Sequence, residues 1–251
     1  MRRLFEFYLL FIKIVVTNKV AFLWTLIFPI IYILLFSRIT LSNGFDDNSF
    51  IETIAMFFSY IIFVVSINAS LSLISLRETG FLKMFFFITG SKIPIVFGQI
   101  LAQLCFLYIN IIIVSLVFFF LSGENLYSLL QLGLLVVTIT FIPISLFNLW
   151  ITTLPIKNES IIPIMNIAVF PLIIIAFSVN YTDYLILDFF ISFNPVKFIH
   201  NITIFIANNI GITSVGNKNA NNFFIINTIT YTLIGLLMLR YFKIISVVKR
   251  N

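Results

Sequence analysis

The chain has 251 residues, of which 61% are hydrophobic and 10% charged; a soluble domain usually carries about 25% charged residues, so a soluble globular protein is excluded and a polytopic membrane protein is indicated. The net charge of +6 does not point to nucleic acid, because the basic residues flank apolar runs and do not form one surface interleaved with aromatics. A single cysteine, Cys105, and a single histidine, His200, exclude an intrachain disulfide framework, a thiolate cluster and a multi-histidine metal site, each of which needs several ligands.

Met1-Arg2-Arg3 before an apolar run is superficially like a signal peptide. However, Glu6, Lys13 and Lys19 interrupt the run and no small-residue cleavage site follows, so the N-terminus is expected to be retained. Residues 1–20 read as an amphipathic helix lying in the membrane plane. Leu4, Phe5, Tyr8, Leu9, Phe11 and Ile12 form its apolar face, and Arg2, Arg3, Lys13 and Lys19 its cationic anchors. A disordered basic tail is the alternative. A first span is expected over 21–40, with Trp24 near the interface, a mild kink at Pro29 and Arg38 snorkelling at the exit. The loop that follows, holding Asn43, Gly44, Asp46 and Asp47, is short, acidic and extracytoplasmic in this reading.

A second span covers 50–75 and a third 93–121. Each exceeds the roughly 20 residues that cross about 30 Å of hydrocarbon as a helix. The connection between them, 76–92, carries Arg77, Lys83 and Lys92, which place it on the cytoplasmic side by the positive-inside rule. It also carries an amphipathic segment (Phe81, Leu82, Phe85, Phe86, Ile88) between Gly80 and Gly90, read as a short interfacial helix offered to a partner. Gly123-Glu124-Asn125 makes an outer turn before a fourth span, 129–153; Pro155 to Glu159 makes an inner turn before a fifth, 160–180.

The segment 181–222 is the longest interruption, yet Leu185 to Phe193 and Phe198 to Ile206 are strongly apolar, too short to span, and separated by Asn194-Pro195. Two half-helices dipping into the outer leaflet fit these lengths, and a small packed cap fits them as well. A sixth span, 223–242, leads into a basic tail with Lys243, Lys249 and Arg250. Of the fifteen basic residues, twelve then fall inside (Arg2, Arg3, Lys13, Lys19, Arg77, Lys83, Lys92, Lys157, Arg240, Lys243, Lys249, Arg250) and three outside (Arg38, Lys197, Lys218). Six spans with both termini cytoplasmic is the consistent topology. No internal repeat is visible, and the uneven loops argue against an inverted-repeat secondary transporter.

The search for catalytic groups is largely negative, with no Gly-rich phosphate loop and no Ser-His-Asp arrangement. His200 with Ser192 could be imagined as an intramembrane base and nucleophile, but both belong to one outer segment instead of spans that converge. Uncharged polar stripes do mark two spans: Asn68, Ser72 and Ser75 at i, i+4, i+7, and Gln99, Gln103 and Asn110 at i, i+4, i+11. Such residues either join helices by hydrogen bonds or line a passage.

The whole pattern resembles the permease subunit of type-two ABC transporters, the export-oriented family that includes the G-subfamily fold. The resemblance covers nearly the full chain: the amphipathic N-terminal helix, six spans, and apolar outer half-helices before the last span. Its most specific part is Arg77-Glu78-x-Gly80-x-x-Lys83, followed by an apolar segment that includes Phe81 and then Thr89-Gly90-Ser91. The resemblance implies an all-α membrane protein in the bacterial plasma membrane, a cytoplasmic coupling helix docking on a separate ATP-binding cassette ATPase, and pairing with a second permease copy or a homologous permease. ATP and Mg would be bound by the ATPase, since this chain has no Walker A sequence and no cofactor of its own is expected. Arg77, Glu78, Gly80, Phe81, Lys83 and Gly90 are the expected coupling residues, and Asn68, Ser72, Gln99, Gln103 and Asn110 the candidate translocation path. There is no large extracellular domain, which disfavours a tripartite envelope-spanning assembly. The spans offer almost no charge, so the expected cargo presents an apolar face: an amphipathic peptide, toxin or bacteriocin-like, with lipid or hydrophobic drug as the alternative. An intramembrane enzyme and a non-transport immunity or sensor protein are the competing classes.

Overall fold

The computed structural model describes residues 2–17, 27, 29–31, 33–34, 47–178, 185–212 and 223–244. Most of the expected first span, with Trp24 and Arg38, lies outside the described residues, as do Lys19, the loop 41–46, residues 179–184, the turn 213–222 with Lys218, and the tail 245–251. Every regular element among the described residues is a helix.

Helix α1 (Arg2–Thr17) is followed by α2 (Asp47–Thr79), the short α3 (Phe81–Thr89) and α4 (Ile93–Ser122). Then come α5 (Leu126–Phe147), a single turn α6 (Trp150–Thr153), α7 (Asn158–Ser178), α8 (Leu185–Ser192), α9 (Pro195–Ile210) and α10 (Phe224–Tyr241). Among the described residues, five stretches are long and apolar enough to cross a membrane: 50–79, 93–122, 126–153, 158–178 and 224–241. The chain is thus a multi-pass membrane protein.

The boundaries follow local chemistry. Helix α2 does not stop near Ser75 as expected; it continues to Thr79, because nothing breaks it before Gly80, and so absorbs Arg77 and Glu78 into a 33-residue helix about 50 Å long. The fourth span begins earlier, at Leu126, where the Asn125 side chain accepts from the Tyr127 N–H at 3.0 Å and caps the helix. It also breaks at Asn148-Leu149, so the expected 129–153 unit is two helices. Helix α9 starts by the same device as α5: Asn194 accepts from the Val196 N–H at 3.0 Å, with Pro195 in the first turn.

Helix α2 is the centre of the bundle, with 72% of its most apolar stretch buried, against 22% for α7 and 17% for α10 at the periphery. It packs on α4, α5, α7 and α9. Helix α9, one of the two expected outer half-helices, packs into this core against α2, α5 and α7 and buries residues on nearly every side, Lys197 and His200 included. Helix α1 lies along α4. Gly98 permits that approach, since a Cβ there would sit 2.9 Å from the Phe7 Cβ and 3.2 Å from the Tyr8 nitrogen. The Tyr8 hydroxyl also meets the Cys105 Sγ at 3.1 Å.

Candidate functional site

Two features bring the sequence-predicted residues together: a corner around α3, and polar side chains along α2 and α4. The corner begins at Gly80, whose φ of +84° lies in the left-handed region where a side chain costs roughly 1–2 kcal/mol. Gly90, at φ +68°, closes α3 in the same way and donates its N–H to the Phe86 carbonyl at 2.8 Å. Between these two stops, α3 is a rigid nine-residue helix with separate faces.

Its inner face holds Leu82, Phe85 and Thr89, all buried. Phe85 sits edge-on to Phe7 (5.3 Å between ring centroids) and Phe11 (6.3 Å) of α1, and Arg3 donates to the Thr89 carbonyl at 2.9 Å. Thr89 then organises the turn into α4, donating to the Phe85 carbonyl at 2.9 Å and the Ser91 carbonyl at 2.8 Å. The outer face is apolar and uncovered: Phe81, Met84, Phe87 and Ile88 are 51%, 47%, 74% and 64% exposed. The Lys83 ammonium lies 5.8 Å from the centre of the Phe87 ring, close enough for a cation–π attraction. A shallow groove runs along Gly80, Lys83, Met84, Phe87 and Ile88.

Arg77 does not join that outer face. It is 1% exposed, and its guanidinium donates to the carbonyls of Thr152 (2.8 Å), Leu154 (3.3 Å) and Ile156 (3.0 Å) while Nε donates to Glu78 at 3.0 Å. One buried cation therefore ties the end of α2 to the end of α6 and the 154–156 connection, satisfying carbonyls that have no helical donor. Its neighbour Glu78 is largely shielded, with its side chain 11% exposed. Asn148, which the sequence reading passed over, makes a parallel tie by donating to the Ser66 hydroxyl at 2.8 Å. An Asn inside the apolar run Leu146-Phe147-Asn148-Leu149-Trp150 was the available signal. At the start of α4, Lys92 donates to the Phe242 carbonyl at 2.6 Å, fastening the corner to the end of α10.

The polar stripes run through the packed interior. Gln99 and Asn110 are wholly buried on one face of α4, and neither side chain has a hydrogen-bond partner at its nitrogen or oxygen. Gln103, between them, is 8% exposed; Asn68 and Ser72 of α2 are half-buried. Phe118 of α4 packs against both Phe50 and Phe57 of α2, so antiparallel counting sets Asn68 about level with Gln103 and Ser72 about level with Gln99. The two stripes thus share one depth. Ser70, Ser115 and Ser145 have buried hydroxyls that are also without partners. Each such group costs roughly 1–3 kcal/mol when left unpaired.

Ser192 and His200 do not form a catalytic pair. Ser192 donates to the Phe189 carbonyl at 2.8 Å and accepts from Asn227 at 3.1 Å, whereas the His200 ring packs edge-on to Phe177, 5.2 Å away on α7. Burial, and then the nearby Lys197 charge, lower the His200 pKa to about 4, with a hydrogen bond to Asn201 opposing. Burial likewise lowers Lys197, against the attraction of Glu52 on α2. Among the described residues, no group of three His, Cys, Asp or Glu could hold a metal ion.

Comparison of this chain with protein-family models, with curated proteins and with solved structures finds no match.

Proposed function

We propose that this chain is the permease subunit of an ATP-driven exporter of the type-two ABC class, paired with a second permease and driven by a separate ATP-binding cassette subunit that binds ATP and Mg. The observation that carries the reading is α3: a short helix, fixed by two left-handed glycines, with Leu82 buried and Phe85 seated on α1, and with an apolar and basic face left uncovered. An exposed face of this kind suits a protein groove. In this reading α3 is the coupling helix, the corner and both termini are cytoplasmic, and the membrane is a bacterial plasma membrane.

Force applied to α3 has three routes into the bundle: through Gly80 into α2, through Arg77 to the carbonyls of residues 152, 154 and 156, and through Gly90 into α4. Arg77 and Glu78 act in this scheme as ties within the permease, while Phe81, Lys83, Phe87 and Ile88 meet the ATPase. The cargo is an amphipathic peptide, with lipid or hydrophobic drug as the alternative. Uncharged, unpartnered amides at Gln99 and Asn110, level in part with Asn68 and Ser72, support a path that offers hydrogen bonds without charge.

The test is co-expression of the full chain with its neighbouring reading frames, followed by co-purification of an ATP-binding cassette ATPase. The ATPase should be retained by the native chain, lost when Phe87 and Ile88 are both changed to Asp, and stimulated after reconstitution by an amphipathic peptide over a scrambled polar control. Retention of the ATPase after replacement of 77–91 by a Gly/Ser linker would reject the docking assignment, and equal stimulation by both peptides would reject the cargo.

A further inference from the structure

We infer that the chain binds an anionic phospholipid in the cleft between α4 and α10, with the headgroup on Lys92, Arg240 and Lys243 and an acyl chain lying over α5. The cleft follows from where the two helices meet α5. A Cβ on Gly133 would run into Ile111 of α4, and a Cβ on Gly235 of α10 would run into Leu146. These contacts fall on different flanks of α5. Between them Leu134, Thr138 and Ile142, at i, i+4 and i+8, make an outward strip, the first two exposed and the third half-buried.

The cleft is closed at both ends. At one, Lys92 donates to the Phe242 carbonyl at 2.6 Å and its ammonium lies 6.0 Å from the centre of the Phe242 ring. At the other, the Tyr108 and Thr138 hydroxyls meet at 2.9 Å. Tyr108 lies about 24 Å along α4 from Lys92. A chain that crosses one leaflet, about half of a 30 Å hydrocarbon core, fits between these closures.

The α10 wall has the same order of groups as a phospholipid, apolar along its length and charged at its end. Ile229, Leu233, Leu236 and Arg240, spaced 4, 3 and 4 apart, form one exposed stripe. Asn227 and Tyr231 point the other way, toward Ser192 of α8 and Phe198 of α9, which leaves the stripe on the flank nearer α4.

The three cations have donors to spare. Arg240 and Lys243 are exposed, and neither forms an ion pair or a side-chain hydrogen bond among the described residues. Lys92 gives the Phe242 carbonyl one of its ammonium's three donors. Gathered at one corner without a carboxylate, these charges repel one another. An anionic phosphodiester relieves that, because its oxygens accept from a guanidinium fork and from ammonium groups. A zwitterionic headgroup would bring an ammonium of its own to the same corner. Arg240 continues an apolar stripe without a break, so the phosphate it meets is at headgroup depth. The inference needs only that these helices span a membrane.

Native mass spectrometry of the full chain in detergent, without any ATPase, tests it. Phosphatidylglycerol should be retained about tenfold over phosphatidylethanolamine of the same chains, and glycerol phosphate, a headgroup without chains, should not displace it. Arg240→Gln combined with Lys243→Gln should weaken phosphatidylglycerol binding on the order of tenfold, and Arg240→Lys should keep most of it. Lys157→Gln, which removes an exposed cation elsewhere, should leave it unchanged. Equal retention of the two lipids, native binding by the double variant, or a loss as large in Lys157→Gln would overturn the assignment. Displacement by glycerol phosphate would do so too, since the site would then take a free phosphate and not a lipid.

Discussion

At the scale of single residues, the most consequential side chain is Arg77, because one guanidinium satisfies three carbonyls from a neighbouring connection. Arg77→Met should leave those acceptors buried and lower stability by about 3 kcal/mol, seen as an earlier thermal transition in detergent. Arg77→Lys should recover only part of this, since an ammonium cannot reproduce the planar fork; full recovery would mean that charge alone matters. His200 gives a pH signature. Its folded pKa, about 4, lies below the roughly 6.5 of an unfolded histidine. Between these values the unfolded chain binds more protons, so this contribution is fully present above pH 6.5 and is lost as pH falls toward 4. Stability should drop between pH 7 and 4.5 by on the order of 2 kcal/mol more in the native chain than in His200→Gln. Equal slopes in the two proteins would show that carboxylates account for the whole loss.

At the scale of elements, α10 crosses α5 closely at Gly235. A Cβ on Gly235 would lie 2.4 Å from the Leu146 Cβ and 2.5 Å from its carbonyl carbon, and backbone cannot turn aside as a flexible side chain can. One turn away, Tyr231 packs against Phe147, Phe193 and Phe198 and donates to the Phe193 carbonyl at 2.6 Å. Gly235→Ala should therefore force α10 off this platform and cost roughly 1–3 kcal/mol by overpacking. Leu237→Ala, at a site 59% exposed, should leave the thermal transition in place. An unchanged transition in Gly235→Ala would mean that the helices separate without loss. Element ends were legible where a residue imposes its own geometry: Gly80 and Gly90 fall where the sequence reading put them, whereas the helix expected from Phe198 to Ile206 runs from Pro195 to Ile210, because Asn194 caps it and Pro195 fits its first turn. The end of α2 was misplaced by four residues, because charge was read as loop, whereas Arg77 is charged and still helical for want of a breaker.

At the scale of the whole molecule, composition and run length alone establish a helical protein with several membrane crossings, because hydrocarbon admits only segments that satisfy their own backbone and are long enough to span. The same local rules mark α3 and its two glycine stops, and pick out Gln99, Gln103 and Asn110 as polar groups on one helical face. Other decisions needed the assembled bundle. That Arg77 points inward to residues 152–156, that α9 is core in place of rim, and that Gln99 and Asn110 have no partners all depend on which helices are neighbours. Apolar runs this uniform carry little record of that, since nearly every side of a spanning helix is greasy whether it meets lipid or protein. The sequence by itself determined the membrane-embedded helical architecture and the places where helices must stop; the tertiary structure decided which polar groups are satisfied and which faces stay open, because pairing is a property of two surfaces and a sequence lists only one at a time.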